Sequence, residues 1–364
     1  MPRFAATLSF YFGRRFLQSV TGMFMVVFIL VYMLDFVELL RRAGEARDAS
    51  TGTLAKLALY RTPTVTEQII PFAMLFGSMV AFLNLSRRLE LVVARAAGMS
   101  AWQFLLPGFA AAVGLGFLVM MVFNPVAAGL KREADRLEAR IFSRAGGVGT
   151  SETGTWFRQK SLDGDAIIRA ESVIDQGATL ATVTAFVFDA QGKQIERIEA
   201  PKADLKDGYW QFERAWVLPI GFEPQQFETY LLATSLTQSQ ISESFTPAET
   251  VSFWELKNLV NQLELAGLDA TRYRLKYEGL AARPMLFFAM VILAASVSLR
   301  FFRFGGVARM VVTGVVAGFM LYVATAVAAD LGSAGALSAT AAAWSPAAIA
   351  SLIGTWTLLH REDG

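Results

Sequence analysis

The residues able to act on a ligand or a partner gather in short charged strings. The string DFVELLRRAGEARDAS carries Asp35, Glu38, Arg41, Arg42, Glu45, Arg47 and Asp48. Asp35, Glu38 and Arg42 share a helical face by their i, i+3 and i+4 spacing. Adjacent arginines suit an anionic lipid headgroup, because the planar guanidinium fork takes phosphate oxygens two at a time. Salt bridging at a helix end is the alternative, since the acids compete for the same donors. A second string, SRRLELVVARAAGMSAWQF, sets Arg87, Arg88, Glu90 and Arg95 toward water and Leu89, Leu91, Val92 and Ala96 along an apolar face. A short amphipathic helix of this kind can pass motion from a soluble partner to the segments it joins. A plain interfacial helix with basic anchors has the same pattern.

Much chemistry is excluded. The chain has no cysteine and a single histidine, His360, so thiolate metal sites, iron–sulfur clusters, histidine clusters and Ser-His-Asp triads are ruled out. No G-x-x-x-x-G-K-[ST] string is present, so the chain does not hydrolyse ATP by itself. Asp163-Gly164-Asp165 imitates a metal-binding pair but sits where a hairpin needs its turn. GGVGTSETGT lacks the lysine and the following helix of a phosphate loop and reads as a flexible connection. The formal charge of +2 is too balanced for a nucleic-acid binder.

These strings need elements to position them. Hydrophobic residues make up 54% of the 364 and charged ones only 18%, against about 25% in soluble domains. The missing charge points to a polytopic α-helical membrane protein. Six apolar runs reach the roughly 20 residues needed to cross a bilayer: about 18–37, 63–85, 102–123, 280–299, 311–329 and 345–360. The third is expected to stop at Asn124-Pro125. The basic flank Arg14-Arg15 precedes a run too long for a cleaved signal, which makes it a retained first span. Basic residues in the short loops favour cytoplasmic N- and C-termini, although Arg41, Arg42, Arg47, Lys56 and Arg61 then lie outside. Asp330, Arg283 and Arg300 stand at span ends, where termination or snorkelling accounts for them. Gly314 and Gly318 form a small-xxx-small face suited to close helix packing, with Gly22, Gly114 and Gly116 read the same way.

Between the halves, residues 126–145 extend the third span as a charged helix. Residues 150–246 switch to short alternating segments with turn signals at Asp163-Gly164, Gln191-Gly192 and Asp207-Gly208, the pattern of an antiparallel all-β sandwich or jelly roll. Residues 252–276 return to an amphipathic helix with a break at Gly267. The plan is thus a membrane half at 1–146 with a connecting helix at 86–99, an inserted all-β domain at 147–247, and a membrane half at 248–364.

The order of parts and several strings resemble the LptF/LptG (YjgP/YjgQ) family of lipopolysaccharide-export permeases. The similarity is carried by FVELLRRAGEA, RLELVVARAAGMS, LVNQLELAGLDATRYRLKYEGLAARP and GGVARMVVTGVVAGFMLYV, with FVELLRRAG closer to the LptG branch. The loop after the fourth span lacks the family's Gly-Pro pair. The resemblance implies a permease subunit of an ABC transporter in the bacterial inner membrane that extracts lipopolysaccharide toward the outer membrane. It implies an LptB-like ATPase dimer that hydrolyses ATP with Mg, so the chain itself holds no cofactor. It also implies an LptF-like second permease and LptC-like and LptA-like bridge proteins. Arg41 and Arg42, with Asp35 and Glu38, would meet the lipid phosphates. Arg87, Arg88, Glu90, Arg95 and Gly98 would form the coupling helix, spans one and five would border a lateral gate, and the jelly roll would be periplasmic. The residues alone leave open another lipid or lipoprotein exporter, and a membrane scaffold with a docking domain.

Overall fold

Long apolar runs fold as helices in a bilayer because no water satisfies an open backbone there, and the computed structural model of the chain is built on such helices. It describes every residue except 1, 44–49, 89, 91–92, 94–95, 97, 99, 143–154, 162–163, 175–177, 190–192, 236, 238–246, 266–267, 303–305 and 363–364. The helices are α1 (Pro2–Ala43), α2 (Thr51–Arg87), α3 (Ala101–Leu118), α4 (Asn124–Phe142), α5 (Phe253–Leu265), α6 (Thr271–Ala281), α7 (Arg283–Phe302), α8 (Val307–Ser333) and α9 (Ala339–Glu362). Among the described residues five helical stretches are long and apolar enough to cross a membrane. The pair α6 and α7, bent by 50° at their junction, adds one more if counted as a single span. Each expected run lies within this set, though the helices overshoot it; α1 is 42 residues long and α2 is 37.

The apolar character of the third run ends at Asn124-Pro125, but the helix does not, and the expected charged extension follows it. Val119–Phe123 form a π-helical turn, closed by the Asn124 N–H on the carbonyl of Val119, and the helix then continues as α4. Pro125 carries no N–H for the carbonyl of Met121 four residues back. That oxygen instead accepts from Trp254 Nε1 at 3.2 Å. The π-turn and this donor together let the helix pass through a proline that reads as a stop in one dimension.

The chain divides into two units. The first comprises Met1–Leu137, Ser252–Trp254 and Arg274–Gly364. Its core is centred on α7, whose Phe287, Met290, Val291 and Ile292 are buried with Phe16 of α1, Met74 and Phe82 of α2 and Phe109 of α3. Apolar helices gain little from leaving lipid for one another, so close packing must hold them. Small residues supply it: a Cβ on Gly116 would stand 2.4 Å from Pro284 Cα, and one on Gly77 2.7 Å from Val20 Cα. Gly314 and Gly318 also face α2, but there they meet side-chain ends, the Met79 thioether and a Leu75 methyl, which can give way where backbone cannot.

The second unit comprises Glu138–Val251 and Glu255–Tyr273. Its strands are β1 (Thr155–Ser161), β2 (Gly164–Ile174), β3 (Thr179–Phe188), β4 (Gln194–Lys206), β5 (Tyr209–Pro219) and β6 (Gln225–Ala233). They form one six-stranded antiparallel sheet in sequential order. Asp207-Gly208 makes the β4–β5 turn, with Gly208 at φ +86°; Asp163 and Gln191-Gly192 lie outside the described residues. A jelly roll would pair strands distant in sequence, whereas every described neighbour is joined to the next as a meander. The sheet curls on itself. The side chain of Gln159 in β1 accepts from Trp210 Nε1 of β5 at 3.0 Å and from Thr234 Oγ1 just past β6 at 2.8 Å. Ile168, Ala185, Ile198, Trp210 and Phe212 fill the enclosed face and are fully buried. The amphipathic helix expected at 252–276 is α5 followed by the start of α6, and Gly267 lies outside the described residues.

Candidate functional site

The first expected site lies in the last turns of α1. Glu38 receives Arg41 through Nε and Nη2, both at 2.9 Å, and Arg42 through Nε at 2.9 Å. Two arginines at a helix C-terminus also meet the negative end of its dipole. Asp35 pairs with Arg61 of α2 at 3.6 Å, tying the two helices together. Lys56 lies over the Tyr60 ring, 5.4 Å from its centroid. Asp35, Glu38, Arg41, Arg42 and Arg61 thus carry one net positive charge, and the Arg41 and Arg42 side chains are 75% and 50% exposed. Glu45, Arg47 and Asp48 lie outside the described residues.

The expected coupling segment follows α2. Arg87 and Arg88 are exposed, Glu90, Val93 and Ala96 are helical, and Arg95 lies outside the described residues. Gly98 has φ +85°, a left-handed conformation that glycine adopts without strain. Ser100 then caps α3 in a reciprocal pair with Gln103. Glu90 is not a free water-facing acid. Tyr11 of α1 donates its hydroxyl to Glu90 Oε1 at 3.2 Å, and Arg15 Nε donates to the Tyr11 oxygen at 3.2 Å. Glu90 Oε2 is buried with no hydrogen-bond partner among the described residues. A polar pocket of about 250 Å³ beside it is lined by Arg15, Gln18, Asn84 and Arg88.

A third centre is absent from the sequence reading. Glu67 of α2 is buried within the helical unit. Asn124 Nδ2 donates to its carboxylate at 3.1 and 3.3 Å, and Asn124 Oδ1 accepts the N–H of Phe253, the first residue of α5, at 2.8 Å. Arg283 and Lys276 approach Glu67 Oε1 at 3.7 and 3.8 Å. Pro71 explains a further contact: it has no N–H for the Glu67 carbonyl four residues back, and Arg283 Nη1 donates to that oxygen at 2.9 Å. Arg283, expected only to end a span, is therefore one of two cations in a buried ion centre at the α6–α7 bend. The available signal was a glutamate inside the expected 63–85 run, because an ionisable group at membrane depth points to function by default.

In the β unit, Lys202 bonds Asp204 at 2.6 Å, and Thr179 donates to the same carboxylate at 2.7 Å. Burial raises the Asp204 carboxyl, but these donors outweigh it and hold it below the usual carboxylate range. Burial and a 2.9 Å hydrogen bond to Glu196 push the Tyr230 phenol up to about 12.

A family model for the lipopolysaccharide export system permease LptF/LptG matches residues 10–360. The chain is 25% identical over 350 residues to the lipopolysaccharide export system permease protein LptG of Escherichia coli K12, covering 94% of this chain and 96% of that one. It is 23% identical over 369 residues to the protein of the same name from Haemophilus influenzae, covering 98% and 99%. With a match that runs from the first turns of α1 to the end of α9, the chain belongs to the LptF/LptG family of lipopolysaccharide export system permeases.

Proposed function

We propose that the chain is the LptG-like half of a permease pair that lifts lipopolysaccharide from the bacterial inner membrane and hands it to a periplasmic bridge. The observation that carries this reading, beside the family match, is the state of α1. Only 11% of its most apolar stretch is buried, against 67% for α2, and its last turns bear the exposed arginines. A helix with its most apolar stretch left largely open and basic at one end suits an amphiphile whose acyl chains lie on the helix while its phosphates meet Arg41 and Arg42. Glu38 holds those arginines until lipid phosphates replace it, and Asp35 ties Arg61 beside them. α8, with 22% of its apolar stretch buried, borders the same gate with an LptF-like second permease.

Moving acyl chains out of a bilayer costs about 0.8 kcal/mol per methylene, so work must come from outside the chain. An LptB-like ATPase dimer, hydrolysing ATP with Mg, supplies it by pressing on the segment holding Arg87, Arg88, Glu90, Arg95 and Gly98. The bond from Glu90 to Tyr11 carries that push onto α1. On this reading α6 and α7 count as one span, giving six. Residues 1–146 and 248–364 are the two membrane halves, both termini are cytoplasmic, and the all-β domain at 147–247 stands in the periplasm. There its curled sheet meets LptC-like and LptA-like partners.

The test is mild-detergent purification of the tagged full chain from native membranes, assaying co-purified subunits and lipid. An ATPase, a second six-span protein and lipopolysaccharide are expected. Arg41→Glu with Arg42→Glu should cut lipid crosslinking and leave ATPase recovery intact, whereas Glu90→Lys should lower ATPase recovery or transport. Unchanged crosslinking in the double variant removes the phosphate role; recovery of the chain alone, from extractions that keep other ABC complexes whole, overturns the reading.

A further inference from the structure

Where Gly314 and Gly318 bring α8 onto α2, a Cβ at either position would lie 2.4 Å from Met79 or Leu75. One turn on, the contact ends in the Phe72 and Tyr322 rings, 5.5 Å apart. Beyond them opens a cavity of about 310 Å³, walled by Pro71, Leu286, Met290, Thr325, Ala329 and Ala347. Gln68, Tyr322, Ala326 and Ala329 are exposed lining residues, which places the mouth between α2 and α8. The walls are mostly apolar, with Gln68, Tyr322 and Thr325 as uncharged polar lining, and the charged lining residues, Lys276 and Arg283, stand together at one corner.

That corner is not electrically closed. Glu67 faces both cations, so one positive charge is left over. The Lys276 ammonium is 3.8 Å from the carboxylate, and it makes no hydrogen bond among the described residues. A cation beside apolar walls draws an anion, and the walls suit a hydrocarbon chain. A zwitterionic head brings its own cation and cannot neutralise the corner. The volume is roughly ten times a water's share of about 30 Å³, which is room for part of one acyl chain and too little for a glycolipid with several.

We propose that this cavity binds one acyl chain of an anionic glycerophospholipid, with its phosphate at Lys276 and Arg283. The site is separate from the α1 cluster, and the inference rests only on the chain's crossing a membrane, not on the transport reading. The ligand would brace α8 against α2 and α7 while leaving α1 open.

The full chain is reconstituted in vesicles carrying a diazirine-tailed phosphatidylglycerol, phosphatidylcholine or lipid A, and labelled peptides are mapped. Phosphatidylglycerol should label the stretches around Thr325–Ala329 and Ala342–Ala347 roughly fivefold more than phosphatidylcholine, the ratio that one lysine's attraction to an anionic surface corresponds to. Lys276→Gln should erase that preference, Lys276→Arg should keep it, and Ala329→Trp should reduce labelling by every lipid. Inorganic phosphate should not compete, since the chain supplies much of the binding. Equal labelling by the two glycerophospholipids in the parent protein overturns the proposal without any variant. Stronger labelling by lipid A assigns the cavity to the cargo instead, and displacement by free phosphate reduces the corner to an anion site. A preference that survives Lys276→Gln overturns the headgroup contact.

Discussion

Two ion clusters in the helical unit share their arithmetic, one carboxylate against two cations, and little else. Glu38 holds Arg41 and Arg42, its neighbours on the next turn of one helix. Glu67 faces Lys276 and Arg283, the latter 216 positions away. The Glu38 side chain is 38% exposed and that of Glu67 only 3%. Where water or headgroups reach, a salt bridge contributes little to stability, and a ligand can displace it at small cost. Where water is excluded, each charge requires its partner, and breaking the set costs far more than the set contributes. The exposed cluster is thus suited to binding, whereas the buried carboxylate holds helices in place and only the surplus charge at Lys276 is left for a ligand.

Removing each carboxylate separates the two most sharply. Glu67→Ala strands Lys276 and Arg283 in an apolar corner and leaves the Asn124 amide without its acceptor. The expected loss is about 3–5 kcal/mol, measured as a lower unfolding midpoint of the detergent-solubilised full chain. Glu67→Gln keeps an acceptor for Asn124 and should fall between variant and parent. A midpoint unmoved by Glu67→Ala would mean that the buried cluster binds nothing together.

A smaller loss, about 1–3 kcal/mol for forced overpacking, is expected from Gly318→Leu, because even a Cβ would lie 2.4 Å from Leu75. This change tests whether the neighbourhood of the buried cluster is as rigid as the pairing requires. Glu38→Gln should leave the midpoint in place and raise crosslinking of lipopolysaccharide, by releasing Arg41 and Arg42 from their internal acceptor. If it destabilises the protein as Glu67→Ala does, the contrast between the clusters is gone.

The smallest effect lies in the β unit. The folded Tyr230 phenol sits at about 12, above an unfolded value of about 10. Its raised pKa therefore stabilises fully below about pH 10, and this contribution is lost as pH rises toward about 12. Tyr230→Phe should be less stable than the parent at neutral pH, and the gap should narrow through that window, followed by near-ultraviolet circular dichroism of the full chain. A constant gap would remove the ionisation from the account.

Much of the fold was legible because membranes impose a one-dimensional rule. A run of apolar residues long enough to span must be helical, so the spans, the inserted β segments and the family resemblance could all be read along the chain. The exposed cluster was legible for a similar reason, since i, i+3 and i+4 neighbours meet in any helix, and Glu38 does meet Arg41 and Arg42. Asp35 was placed with them by the same spacing, but Arg61 across the helix pair took it. The charged extension at 126–145 was legible, but how the helix passes Asn124-Pro125 was not, because a π-turn and a distant tryptophan supply what the proline lacks.

The sequence by itself determined which segments leave water, where their ends carry charge, and which residues can pair within one helical turn. These depend on composition and local spacing, which the backbone geometry of a helix converts directly into neighbours. Only the tertiary structure decided that Glu67, Asn124, Lys276 and Arg283 meet, that Glu90 turns toward Tyr11, and that β1 reaches β5 and the end of β6 through Gln159. Such contacts join residues dozens to hundreds of positions apart. They are fixed by helix packing, proline-vacated carbonyls and sheet curvature, none of which has a period along the chain.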